Sequence, residues 1–255
     1  MLSWVDTLLL VIAGFAGGTV NAIAGGATFF TFPAMLAVGI PPVAANASNT
    51  TALVPASLVA AYAQRRDLLD LRGRVLALVA LGVVGGVTGA VLLLVTSDRT
   101  FMRLVPFLLI AATLLFAFSP RLLVWIRAHH EPTAGKLRLS VGTVLLLAVC
   151  VVYGGYFGAG LGIMLLAGLS LAGLEDLRVA NALKNGLSAL VNGVSVAVFV
   201  LQGVVVWPAA LAMMVGAALG GFTGAKIARR LPQRLFRAIV IGVGTLLSVW
   251  YLVRP

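Results

Sequence analysis

The sequence predicts an all-α polytopic membrane protein made of two inverted repeats, each of about five transmembrane helices, with short or broken helices near the midplane. Three observations carry that prediction. Hydrophobic residues make up 61% of the 255-residue chain and charged residues only 10%, where soluble domains carry about 25% charged residues. Next, Gly85-Gly86-Val87-Thr88-Gly89-Ala90 returns as Gly220-Gly221-Phe222-Thr223-Gly224-Ala225, and the same spacing of 135 residues carries Ala45-Asn46-Ala47 onto Ala180-Asn181-Ala182, Gly25 onto Gly160, and Arg99-Thr100-Phe101 onto Arg234-Leu235-Phe236. Finally, the basic residues do not repeat: Arg65, Arg66, Arg72 and Arg74 face an uncharged stretch near 200–209. Lys and Arg are retained on cytoplasmic loops, so two halves lying upside-down to each other keep their glycines in register and lose the register of their charges.

The apolar segments run in order at about 4–24, 27–39, 43–63, 73–96 and 101–126, then 139–158, 162–174, 179–200, 208–228 and 235–253. Most reach the roughly 20 residues needed to cross the hydrocarbon core as helix. A β-barrel would alternate polar and apolar residues over about ten residues at a time, and no such alternation occurs. Segment 4–24 lacks the basic n-region of a signal peptide and reads as a retained span. The second segment of each half is short and has a glycine-rich entrance, Gly25-Gly26 in one and Gly158-Ala159-Gly160-Leu161-Gly162 in the other; Pro33 also interrupts the first. Each half therefore has either five crossings, or four plus a re-entrant stretch, which makes eight spans in all.

Charge separates the two models. If the short segments cross, Arg65, Arg66, Arg72, Arg74, Arg121, Arg127, Lys136, Arg138, Arg178, Lys226, Arg229, Arg230, Arg234 and Arg237 share one side, leaving Arg99, Arg103 and Arg254 on the other. If they dip in and return, the sides come out nearly equal, against the positive-inside tendency. Five plus five crossings is the better fit. It places both termini on the periplasmic or extracellular face of the cell inner (plasma) membrane. The organisation is then a first repeat at 1–128, a basic cytoplasmic linker at 129–138 and a second repeat at 139–255.

Several function classes drop out. The formal charge of +11 sits mostly in loops, where orientation explains it, so no nucleic acid is expected. A single cysteine, Cys150, excludes an intrachain disulfide and argues against a cysteine-built metal site. His129 and His130 lie in a basic loop without metal-spaced companions. No serine, histidine and carboxylate are arranged for catalysis, so the chain reads as no enzyme, with no catalytic residue and neither metal nor other cofactor. The expected partners are a small anionic substrate and the lipid bilayer, with a homo-oligomer left open.

Polar residues inside spans are the remaining clue, because hydrocarbon penalises unpaired polar groups. After its glycine break the first half carries Asn46, Asn49, Thr50 and Ser57, and the second carries Asn181, Lys184, Asn185, Ser188, Asn192 and Ser195. Spacings of three, four, seven and eleven put each set on one helix face. Two such stripes, related by the repeat, are expected to face each other across the centre. Lys184 either lines a wet cavity, pairs with something negative, or snorkels to the interface. The glycines have two readings as well. Gly85, Gly89, Gly220 and Gly224 suit close helix packing; Gly25, Gly26, Gly160 and Gly162 precede short helices whose free N–H groups suit an anion. With Asn21 just before the first break, the candidate substrate-binding residues are Asn21, Gly25, Gly26, Asn46, Asn49, Thr50, Gly160, Gly162, Asn181, Lys184, Asn185 and Asn192.

These residues resemble the sulfite exporter TauE/SafE family of membrane permeases. The matching parts are Ala16-Gly17-Gly18-Thr19-Val20-Asn21-Ala22-Ile23-Ala24-Gly25-Gly26 followed by Phe32-Pro33-Ala34, Ile40-Pro41-Pro42 with Ala45-Asn46, and Asn181-Ala182-Leu183-Lys184-Asn185. The resemblance covers nearly the whole chain. It implies outward transport of small sulfur-containing or carboxylated anions such as sulfite, sulfoacetate or thiosulfate, by alternating access or, as the alternative, through a passive anion channel with the same central site. Many members of that family place a Lys near the position of Thr50. This chain has Asn49 and Thr50 instead, so its site carries one positive charge rather than two.

Overall fold

Each of the ten apolar segments forms a helix in the computed structural model, which describes residues 2–23, 26–67, 75–129, 140–174, 176–227 and 233–253. They are α1 (Trp4–Ile23), α2 (Thr28–Ala37), α3 (Pro42–Ala63), α4 (Val75–Val95), α5 (Asp98–His129), α6 (Val141–Tyr156), α7 (Leu161–Leu171), α8 (Leu177–Leu201), α9 (Trp207–Ile227) and α10 (Gln233–Val253). Helices α1, α4, α5, α8 and α9 are long and apolar enough to cross a membrane by themselves. Helix α3 is long enough but less apolar, because its buried first half holds Asn46, Ser48, Asn49 and Thr51. The 10 residues of α2 and the 11 of α7 rise only about 15 and 16 Å, half the hydrocarbon thickness. Helix α5 runs on to His129, into the segment expected as linker, because a helix need not stop where the apolar layer does.

The helices pack mainly across the halves. Helix α1 lies on α9 and α4 on α6; α3 and α4 lie on α8, α3 also on α9, and α5 on α10. Exchanging every helix for its counterpart five places on leaves this set of pairings unchanged. Gly14 meets Met213 and Gly18 meets Ala217, while Thr19 meets Gly224, so α1 and α9 run parallel. Gly85 on Val151 and Gly89 on Gly155 make α4 and α6 parallel in the same way. The repeated glycine motif is what lets these backbones approach. A Cβ on Gly220 would run into the Phe15 carbonyl, and one on Gly89 into the Val152 carbonyl, which is the close contact that small residues permit in lipid.

Counterpart helices run antiparallel where they meet. Asn185 Nδ2 of α8 donates to Gln64 Oε1 beyond the end of α3 at 3.1 Å, and Arg178 at the start of α8 pairs with Asp67 at 3.5 Å. Arg237 near the start of α10 donates to the Phe116 carbonyl and to Ser119 Oγ, toward the far end of α5. The opposite side is knit differently: the Val43 N–H at the start of α3 donates to Asp98 Oδ1 at the start of α5, 2.8 Å, and the Val206 N–H before α9 donates to Ser48 Oγ, 2.8 Å. Arg65, Arg66, Arg178 and Arg237 thus lie toward one end of the bundle, and Arg99 and Arg103 toward the other.

The backbone itself repeats. Gly26 and Gly160 both have positive φ, +96° and +79°, and so do Gly39 and Gly173, +80° and +86°. The matching bonds Ile40 N–H to Met35 O and Leu174 N–H to Leu169 O close α2 and α7 alike. These pairs are spaced by 134, so conformation matches Gly160 to Gly26, where the sequence register matched it to Gly25. The offset of 135 resumes at the caps of α3 and α8, Pro41 and Asp176; the second half has one more residue between Leu174 and Asp176 than the first has at that turn.

Candidate functional site

Residues 157–160 break the chain between α6 and α7. Gly158 and Gly160 both adopt the left-handed conformation, φ +79°, which costs other L-residues about 1–2 kcal/mol. Aromatic packing holds the lead-in. Phe157 sits edge-on to Phe32, Phe101 and Tyr153 at 5.6–6.4 Å. Polar bonds fix the loop: Tyr153 Oη donates to the Ala159 carbonyl at 2.8 Å and Asn46 Nδ2 to the Tyr156 carbonyl at 2.9 Å. The second satisfies a carbonyl that the end of α6 leaves without a helical partner, and the first ties the loop back onto α6.

Around this break the polar residues gather. Asn192 of α8 brings its Oδ1 to 4.0 Å from where a Cβ on Gly158 would stand. Ser195, one turn on, donates to Val191 O at 2.8 Å and Gly86 O at 3.1 Å. Lys184 is half-buried, with its stem along α7: a Cβ on Gly162 would lie 3.6 Å from Lys184 Cδ and 4.0 Å from Cε. Its ammonium has no hydrogen-bond or ion-pair partner among the described residues. At the head of α7, the Ile163 and Met164 N–H groups both turn back to the Gly160 carbonyl, whereas the Gly162 N–H finds no backbone acceptor among the described residues. A cation, a helix N-terminus and an amide therefore share one neighbourhood, which is the chemistry of an anion site.

The first break differs. Gly26 is walled by Val240, Phe29 and Phe116, at 3.2, 3.3 and 3.6 Å from its notional Cβ, Gly25 lies outside the described residues, and Asn21 is exposed on α1. Both breaks nevertheless reach the same stretch of α5. Gly160 faces Ala112 at 3.6 Å and Gly26 faces Phe116, one helical turn apart and about 21 and 27 Å along α5 from its start.

The expected residues do not all converge. Asn46, Gly160, Gly162, Lys184 and Asn192 lie around the second break. Asn49 is next on α3, 1% exposed and without a hydrogen bond among the described residues; Thr50 bonds back to its own helix at Asn46 O, 2.9 Å. Asn181 and Asn185 are elsewhere. Asn181 lines a cleft of about 290 Å³ with Gln64, Asp67 and Arg178, and Asn185 is held by Gln64. The stripes on α3 and α8 therefore do not meet position for position. In an antiparallel pair, residues near the start of each helix fall at opposite ends. Tyr153 and Gln64 were not among the expected residues; a tyrosine inside a span was itself a signal, because its hydroxyl needs a partner there.

The Sulfite exporter TauE/SafE family model matches residues 10–251 of the chain. A "Probable membrane transporter protein" of Haemophilus influenzae is 31% identical over 235 residues, covering 91% of this chain and 89% of the relative. The "Probable membrane transporter protein ORF9" of a Sinorhizobium species is 30% identical over 249 residues, 96% of this chain and 92% of that protein. The "Probable membrane transporter protein YfcA" of Escherichia coli K12 is 30% identical over 250 residues, 96% and 90% of the two chains. No solved structure gives a significant match.

Proposed function

The chain belongs to the sulfite exporter TauE/SafE family and is a multi-pass membrane transporter, and from that premise we propose that it exports small sulfur-containing or organic anions, such as sulfite, sulfoacetate or thiosulfate, by alternating access. The anion is held at the α6–α7 break. Lys184 supplies the charge, the Gly162 N–H and the start of α7 supply dipole, and Asn192 and Asn49, whose Oδ1 atoms have no hydrogen bond among the described residues, supply amide N–H groups, with Asn46 and Gly160 shaping the loop. The supporting observation is the position of Lys184 on Gly162 with no anionic partner among the described residues: an ammonium inside a span is costly unless its ligand is negative.

The two halves are read as inverted repeats, supported by the antiparallel run of α3 with α8 and α5 with α10. Rocking of one half against the other then opens the site alternately. The polar cleft of Gln64, Asp67, Arg178 and Asn181 lies on the basic, cytoplasmic side, where Asn181 and Asn185 meet the anion as it enters. Both termini lie on the periplasmic or extracellular face of the plasma membrane. Uptake of radiolabelled sulfite and thiosulfate into inside-out vesicles preloaded with the same unlabelled anion tests the reading. Wild-type vesicles should accumulate label above control vesicles, and Lys184→Gln vesicles with equal protein should not; equal uptake by both would remove Lys184 from the site.

A further inference from the structure

We infer that this protein is an obligate anion exchanger, which returns through the membrane only when it carries a second anion. The inference rests on the anion site proposed at Lys184 and deepens it. The observation behind it is where the acidic residues are. Of seven Asp and Glu in the chain, four lie among the described residues, and each is at a helix end with a partner of its own. Asp6 holds Ser3 through its N–H and hydroxyl, 2.9 and 2.8 Å; Asp67 pairs with Arg178, 3.5 Å. Asp98 takes the Val43 N–H and Asp176 the Arg178 N–H, each at 2.8 Å. Asp70, Glu131 and Glu175 fall in the segments between helices, outside the described residues. Among the described residues no carboxylate stands on the inner turns of a helix to neutralise Lys184.

Loaded with a monoanion, the site is an ion pair and close to neutral. Empty, it holds a lone ammonium between α7 and α8. Alternating access requires the site to pass through a state closed to water on both sides, and in that state an unpaired charge costs far more than a paired one. The loaded carrier therefore crosses readily and the empty carrier does not. A uniporter or channel built on these residues would lack the internal counter-ion that lets an empty site close. A second anion, taken from the far side, supplies that charge.

Efflux from proteoliposomes tests this, with the membrane potential clamped by potassium and valinomycin. Vesicles are filled with radiolabelled methanesulfonate, or with sulfite at a mildly acidic pH where the monoanion hydrogen sulfite predominates, and diluted into potassium polyglutamate, whose polyanion is too large to be carried, with or without the same unlabelled anion outside. The wild-type protein should release label roughly tenfold faster or more when the anion is present outside, and Lys184→Arg should keep that dependence. Lys184→Met, which removes the charge that binds the anion but keeps a stem against Gly162, should release label no faster than protein-free vesicles in either medium. Equal wild-type release in both media, or wild-type release into the medium lacking the unlabelled anion accompanied by proton movement, would overturn exchange while leaving transport intact. Undiminished dependence in Lys184→Met would also overturn it. Wild-type protein that moves neither anion in any medium would overturn the underlying anion site, and exchange with it.

Discussion

Lys184 of α8 lies along Gly162 of α7, so that a methyl group on the glycine would stand 3.6 Å from the lysine Cδ. The contact brings the head of a short helix, whose N–H groups are not all used, against the one Lys or Arg well inside a predicted span. It sets how much the site tolerates.

Gly162→Ala should fold. The added methyl meets the lysine stem at ordinary contact distance, and Ala in place of Gly within a helix is favoured by roughly 0.5–1 kcal/mol. The melting temperature should stay level or rise slightly, while the anion concentration giving half-maximal transport rises because the methyl occupies space beside the lysine stem at the head of α7. A variant that melts lower with unchanged half-saturation would place Gly162 in the packing and outside the site.

Gly220→Ala and Gly89→Ala should behave in the opposite way. In each the new methyl runs into a backbone carbonyl of the neighbouring helix, Phe15 or Val152, so the pair must separate. Overpacking of this kind costs about 1–3 kcal/mol, read as a lower melting temperature in detergent. Gly242→Ala, within α10 and with no atom within 4 Å of the new methyl, should leave the melting temperature level or slightly raised and serves as the control.

Much of this was legible in the sequence, for a physical reason: a membrane span advertises itself by length and hydropathy, so all ten helices lie where apolar runs put them. The packing role of Gly85, Gly89, Gly220 and Gly224 was equally visible, because close approach in lipid needs small residues. The site was less so. Helical spacing places Asn46, Asn181 and Lys184 on polar faces but carries no information about which helix each face meets. Only the structure shows Asn181 and Asn185 beside Gln64, where α3 crosses α8, and Asn46 beside Tyr156 at the end of α6. Nor does a glycine pair announce its surroundings. Gly26 and Gly160 share a conformation, but the first is enclosed by Val240, Phe29 and Phe116, and only the second has polar neighbours.

The termini give a further prediction. Arg65, Arg66 and Arg178 lie at the end of the bundle opposite the starts of α5 and α9, and the basic side of a membrane protein is cytoplasmic. A reporter that works only in the cytoplasm, fused after Pro255, should give no signal, and one that works only outside should be active. A strong cytoplasmic signal would reverse the orientation and put the Gln64–Arg178 cleft at the exit.

Recognition of the anion by Lys184 is measured by ligand-induced thermal stabilisation of the purified protein. Sulfite, thiosulfate and sulfoacetate are titrated against wild type, Lys184→Arg and Lys184→Gln, with the unliganded melting temperatures showing that each is folded. Charge-assisted hydrogen bonds contribute about 1.5–3 kcal/mol. At least one anion should therefore raise the wild-type melting temperature, Lys184→Arg should keep part of the response, and Lys184→Gln should need roughly ten- to a hundredfold more anion for the same shift. A Lys184→Gln protein stabilised by the same anion at the same concentration as wild type would contradict the account.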